Sequence, residues 1–145
     1  MYPINISLFR VSVLYINLIK INFAMGNKEV KTKADVEKFL VQFFPKMDVW
    51  GIIFLDREKN INALAALGIT PRERERHIRA ITGEDYVETV ISALAFGEMW
   101  VFGKDVNGRE VYIKLSLGAP GSQTVCISFH EAEKKIDYAF KKEDK

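Results

Sequence analysis

The sequence is poor in the residue types that disulfide and metal chemistry require. It has one cysteine, Cys126, so no intrachain disulfide can form, and its two histidines, His77 and His130, belong to no motif with metal-ligand spacing. The turn sequence GAPGS lacks the Lys-Ser/Thr pair of a phosphate-binding P-loop. We therefore expect no metal and no cofactor, and a reducing, cytoplasmic location.

The chain also lacks a useful excess of positive charge. Its formal net charge is +2, and both surplus cations, Arg10 and Lys20, lie in the first 24 residues. Residues 25–145 hold 19 basic and 19 acidic side chains. The bulk charge therefore gives no support to nucleic-acid binding, and any nucleic-acid site must depend on local clustering of basic residues.

Residues 1–24 contain no Gly, Asp or Glu, and 13 of the 24 are Ile, Asn, Phe, Tyr or Lys, whose codons are rich in A and T. We expect a non-native or disordered extension that arises by read-through of upstream DNA, with Met25 as the natural start. Two alternatives stay open. One is an extra strand or helix docked on the domain. The other is a membrane or export signal. Polar residues interrupt the apolar run, which argues against this second alternative.

Residues 25–145 predict a single α+β domain, with helices first and strands later. Thr32 with Asp35 and Thr70 with Glu73 have the spacing of helix N-terminal capping pairs, and Pro45 is a stop signal. Helices are predicted at residues 33–44, 61–68 and 70–82 and in the first part of 84–97. The apolar run 50–55 is ambiguous in type.

The C-terminal half predicts an antiparallel meander of at least three strands, with the helices packed on one of its faces. The strands are 98–104, 109–117 and 125–130, and Asn107-Gly108 is the signal of a tight hairpin turn. Alternation assigns to the face under the helices a set of apolar side chains: Trp100, Phe102, Val111, Ile113, Leu115, Leu117, Val125, Ile127 and Phe129.

The opposite face of the last hairpin gathers groups suited to proton transfer. Pairing Leu117 with Val125 places Tyr112 opposite His130, Lys114 opposite Ser128 and Ser116 opposite Cys126, and it leaves Val101 beside Lys114. The alternative is an ordinary solvated sheet face. A Cys126–His130 nucleophile is excluded, because residues four apart on one strand are about 13 Å apart.

A second basic feature lies on the helix at 70–82. Arg72, Arg76 and Arg79 recur at i, i+4 and i+7 and form one stripe. The stripe predicts either contact with phosphates or a partner, or a solvated helix in which Glu75 pairs with Arg79.

The segments EMWVFGK, REVYIKLSL and VCISFH, preceded by ITGEDYVE, resemble the MqsR family of bacterial type II toxins across residues 33–140. The resemblance implies a RelE-like α+β fold, metal-independent cleavage of mRNA and neutralisation by a cognate antitoxin protein. It also implies active-site roles for Tyr112 and, by position, for His130. The family's Gln after the Trp and its further Lys correspond to Val101 and Glu88, which is a departure from its pattern.

These observations combine into one functional expectation. Tyr112, Lys114 and His130 would catalyse attack of the RNA 2′-hydroxyl on its own phosphate, because His suits proton transfer near neutral pH and Lys offsets negative charge. Lys104 and Arg109 would flank the site and hold phosphates, with Arg72, Arg76 and Arg79 as further RNA contacts. The alternatives are a catalytically silent protein-binding module and a plain structural domain.

Overall fold

The computed structural model describes residues 26–92 and 96–141, so the expected extension at residues 1–24 lies outside the described residues. Within these residues, three α-helices and six strands follow one another as β1 (Asn27–Glu29), α1 (Lys33–Trp50), β2 (Ile52–Phe54), α2 (Glu58–Leu67), α3 (Pro71–Arg79), β3 (Tyr86–Ser92), β4 (Gly97–Val106), β5 (Arg109–Ser116) and β6 (Thr124–Glu131). The strands form one sheet in the order β1-β3-β4-β5-β6-β2. Its pairs are antiparallel except for β2 with β6, which is parallel. The described helices include none with the length and apolar character to cross a membrane.

Helices α1 and α3 begin where their capping residues predict. Thr32 and Asp35, and likewise Thr70 and Glu73, form reciprocal capping boxes. The prediction that α1 ends before Pro45 is wrong, since the helix continues to Trp50. Pro45 lies on the exposed side of the helix, where water can bond to the backbone carbonyl that the missing proline N–H leaves unpaired. Buried Met47 continues the apolar stripe of the helix beyond it.

The helix predicted in residues 84–97 is also wrong. A single 3₁₀ turn at Gly83–Asp85 leads into strand β3, which pairs with β4 on one side and β1 on the other. The hydroxyl of fully buried Tyr86 accepts a bond from the Lys31 amide at 3.0 Å and shares one with Thr89 Oγ1 at 2.8 Å. Sheet pairing on both edges and this burial outweigh the helix propensity of the segment.

The main core lies between the helices and one face of β4, β5 and β6. Phe39 of α1 stacks on Trp100, with ring centroids 4.6 Å apart, and on Phe102 at 6.1 Å. Ile113 and Leu115 of β5 are fully buried in the same cluster. The predicted inward placement of these four strand residues is confirmed.

The β4–β5 hairpin turns at Asn107 and Gly108, whose φ angles are 54° and 80°, as the Asn-Gly signal predicts. Val106 pairs with Arg109, and Val101 pairs with Lys114. The positive φ angles at both turn residues match the twist of the flanking strands. The register of β5 is therefore set by this turn.

The β5–β6 pair keeps the predicted register only in part. Tyr112 pairs with His130 and Lys114 with Ser128, which confirms both predictions. Beyond Lys114 the register shifts, so Leu115 pairs with Cys126. The predicted pairing of Ser116 with Cys126 is wrong, because Ile127 is an extra, bulged residue.

The bulge also changes which side chains face the helices. Val125 and Ile127 join Met99 and Val101 in a second cluster on the other face of the sheet. Cys126 replaces them in the main core. The prediction that Val125 and Ile127 pack under the helices is therefore wrong, whereas Phe129, beyond the bulge, packs there as expected.

A buried side chain of α2 holds the bulge in place. Asn60 donates from Nδ2 to the carbonyls of Ile127 at 2.8 Å and Leu55 at 3.0 Å. Its Oδ1 accepts from the Phe129 amide at 3.0 Å. Asn60 thus satisfies backbone groups that an irregular ladder leaves unpaired.

Candidate functional site

An open cavity of about 1050 Å³ lies on the sheet face opposite Phe39 and Trp100. We call it the groove. Its floor includes Tyr112, Lys114, Ser128 and His130, and its walls include the loop after β2 and residues 132–139. The structure therefore brings the three predicted catalytic side chains into one concave surface.

His130 is held against Tyr112 in a defined orientation. The two rings are stacked, with centroids 5.5 Å apart and planes at 19°. His130 Nδ1 lies 2.9 Å from the carbonyl oxygen of Glu131. Since a carbonyl only accepts, Nδ1 carries the hydrogen and Nε2 carries the lone pair. Burial lowers the pKa of His130 from its ordinary value, the hydrogen bond to Glu131 opposes this shift, and nearby cations add to it, so the neutral form of the ring is favoured.

Lys114 and Tyr112 also have perturbed acidity. Burial, and secondarily the positive charge of Arg57, lowers the pKa of Lys114. Burial and the negative charge of Glu88 raise the pKa of Tyr112 to about 12, so the phenol keeps its proton. The Lys114 ammonium lies 5.6 Å from the centroid of the Tyr112 ring. The pair offers one cation and one hydrogen-bond donor to a bound anion.

Arg57 is a groove residue that the sequence did not reveal. Its guanidinium NH1 donates to Ser128 Oγ at 3.1 Å, across 71 positions of the chain. Arg57 lies in a loop without periodicity, so no local pattern indicated its role. Only the parallel pairing of β2 with β6 brings it to the floor.

The described lining of the groove is richer in cations than in anions. Lys28 forms an ion pair with Glu88 at 3.1 Å, and Lys59 pairs with Glu133. Three lining residues are acidic, namely Glu88, Glu133 and Asp137, whereas six are basic, namely Lys28, Arg57, Lys59, Lys114, Lys134 and Lys135. The local basic clustering that nucleic-acid binding requires is thus present here, although the bulk charge is balanced.

Lys104 and Arg109 do not flank the groove. Lys104 donates to Asp85 Oδ2 at 3.1 Å and to the Ala80 carbonyl at 3.0 Å. Arg109 donates to the Ala66 carbonyl of α2 at 2.9 Å. The expectation that Lys104 and Arg109 flank the catalytic side chains is therefore wrong. Side chains alternate along a strand, and both residues share the face of Val111, which packs with the helices.

The arginine stripe of α3 is likewise separate from the groove. Arg72 and Arg76 are exposed, and none of the three arginines lines the groove. Arg79 pairs with Asp48 of α1 at 2.5 Å, and not with Glu75. The stripe and the Tyr112–His130 pair therefore belong to different surfaces.

Residues 132–139 form a wall that is fastened to β5. Glu110 accepts from the Ile136 amide at 2.6 Å and from the Tyr138 hydroxyl at 3.1 Å. A Cβ on Gly103 would lie 2.6 Å from the Tyr138 hydroxyl oxygen. The absence of a side chain at Gly103 therefore allows Tyr138 to lie on the sheet.

Within the residues that the structure describes, no cluster of His, Cys, Asp or Glu could hold a metal ion. No protein-family model matches the chain, and neither does any curated protein or solved structure. The comparisons therefore assign no family, and the site must be interpreted from its own geometry.

Proposed function

We propose that this chain is a metal-independent endoribonuclease that cleaves single-stranded RNA in the cytoplasm. In this proposal it is a divergent, RelE-like toxin similar to the MqsR family, which cuts mRNA and is neutralised by an antitoxin protein. The observation that carries the proposal is the placement of His130 against Tyr112, with ring centroids 5.5 Å apart, in a groove that Lys114 also lines.

The chemistry needs no external nucleophile, because RNA supplies its own 2′-hydroxyl. Nε2 of His130 accepts the proton of that hydroxyl as its oxygen attacks the adjacent phosphorus. Lys114 offsets the negative charge that develops on the phosphate, and Tyr112 donates a hydrogen bond to it. The bond from phosphorus to the 5′-oxygen breaks, and that oxygen takes a proton from water. The hydroxide so formed takes the proton from the His130 imidazolium, which restores the neutral ring. The products end in a 2′,3′-cyclic phosphate and a 5′-hydroxyl.

Two departures from the family pattern favour an alternative, a catalytically silent protein-binding module. Val101 is fully buried in the second apolar cluster and offers no polar group. Glu88 places a carboxylate in the groove, although Lys28 neutralises it at 3.1 Å. A groove of this kind could grip an acidic or mixed protein surface without cutting RNA.

The test is cleavage of a labelled single-stranded RNA in the presence of EDTA, with the DNA of the same sequence as a substrate control. His130→Ala should lower the rate by about 10²–10⁴, the usual contribution of a positioned acid or base. His77→Ala, on α3, is the matched control and should leave the rate unchanged. Activity abolished by EDTA and restored by magnesium would refute the mechanism. Tight binding of a protein through the groove without RNA cleavage would favour the silent module.

A further inference from the structure

We propose that Arg57 and Lys114 form a phosphate-binding subsite on the floor of the groove, with the buried Ser128 hydroxyl holding Arg57 in place. The subsite would take one phosphate group of a single nucleic-acid strand. The subsite deepens the proposed function. It depends on that function in one respect, namely that the bound strand is RNA.

The geometry joins three side chains from three separate segments. Ser128 of β6 pairs directly with Lys114 of β5, and residues opposed in this way have Cβ atoms about 5 Å apart. Ser128 Oγ also accepts from the Arg57 guanidinium at 3.1 Å. The hydroxyl therefore fixes the Arg57 guanidinium next to the strand position that carries Lys114. Guanidinium and ammonium groups are the two kinds of cation that proteins use to hold phosphate.

Neither cation of the subsite forms an ion pair with a carboxylate of the described residues, although Glu88 acts on Lys114 from a longer distance. Among residues 26–92 and 96–141, no carboxylate oxygen lies within 4 Å of the Lys114 ammonium or the Arg57 guanidinium. Lys114 is half-buried, and burial and Arg57 both lower its pKa. Two neighbouring cations repel each other, so an anion bound between them would be stabilised by both.

The start of α2 is a second, independent indication. Helices α1 and α3 begin with Thr side chains that cap their first turns. Helix α2 has Arg57 at the corresponding position, with no side-chain cap. Arginine is not a preferred capping residue, and this one bonds to Ser128 on the groove floor instead. Departures from such local rules occur at functional positions.

The probe is a fluorescein-labelled 12-mer oligodeoxynucleotide, which binds as a single strand and cannot be cut because it has no 2′-hydroxyl. Arg57→Gln should weaken binding about 10- to 100-fold, because a charge-assisted hydrogen bond is lost. It should also reduce the slope of log affinity against log salt by about 0.7, the value for one phosphate contact on a single strand. Lys38→Gln removes one exposed cation of α1 that does not line the groove, so it is the matched control and should change neither quantity.

Inorganic phosphate supplies a second readout through the His130 resonances in NMR. Arg57→Gln alone should raise the pKa of His130, because a nearby cation is removed. Phosphate should raise that pKa in the unsubstituted protein and have a smaller effect in Arg57→Gln. Such a change reports the local charge and not a general loss of folding.

The outcomes separate this subsite from the proposed nuclease. If Arg57→Gln changed neither the oligonucleotide affinity nor the pKa of His130, the subsite would be overturned. This would hold even if His130→Ala abolished RNA cleavage. Conversely, binding lost in Arg57→Gln, in a protein that cuts no RNA, would support the subsite and refute the nuclease. Equal losses in Arg57→Gln and Lys38→Gln would also overturn the subsite, because binding would then be diffuse.

Discussion

Asn60→Ala removes the side chain that holds the bulge of β6, and we expect it to lower the free energy of unfolding by about 2–4 kcal/mol. Asn60 is buried and makes three hydrogen bonds, to the carbonyls of Ile127 and Leu55 and to the Phe129 amide. Each contributes about 1 kcal/mol net, and the amide left unpaired in the interior adds a desolvation cost.

The assay is urea unfolding followed by tryptophan fluorescence, with Asn62→Ala as the matched control. Asn62 lies two residues away on the same helix and is exposed. Both substitutions gain the same helix propensity, so the difference between the two variants isolates the buried hydrogen bonds. Asn62→Ala itself should change the free energy of unfolding by no more than about 0.5 kcal/mol.

A difference of less than about 1 kcal/mol between the two variants would refute this account of the bulge. Hydrogen exchange gives an independent check, because the Phe129 amide should exchange faster in Asn60→Ala. Unchanged protection of that amide would mean that another group holds the strand.

Gly103→Ala should open the wall of the groove, since the new methyl would lie 2.6 Å from the Tyr138 hydroxyl oxygen. We expect a loss of about 1–3 kcal/mol, together with faster proteolysis within residues 132–139; a native-like stability and unchanged proteolysis would contradict the contact. Stability should also fall as the pH drops below about 6.5, because the folded state lowers the pKa of His130 and the unfolded chain then binds the proton more readily. His130→Gln should flatten this part of the pH profile measured by urea unfolding, whereas an equal slope in both proteins would mean that another group is responsible.

Much of the hairpin could be predicted from its sequence because two local signals agree. The Asn107-Gly108 turn sets the register of β5 against β4, and apolar alternation sets which face of β5 is buried. The same alternation correctly places Tyr112 opposite His130. Both signals act over a few neighbouring residues, so the local sequence contains all the information that they need.

The errors arise where distant residues decide the local structure. The bulge at Ile127 depends on Asn60, which lies 67 positions earlier in the chain, so alternation along β6 alone gave the wrong face for Val125. Strand β3 forms because β1 and β4 pair with both of its edges. Arg57 reaches the groove through the pairing of β2 with β6. None of these contacts has a local signature in the sequence.

The parallel pairing of β2 with β6 also makes the groove a late product of protein synthesis. Arg57 is made 71 residues before Ser128, its hydrogen-bond partner. A growing chain that already contains all three helices has neither the serine nor His130, so it cannot assemble the floor. Closing so long a loop slows folding as well, since its entropy is lost before the contact stabilises the chain. Under the proposed function, this order would keep the nascent chain from cutting the message that encodes it until β6 has been made.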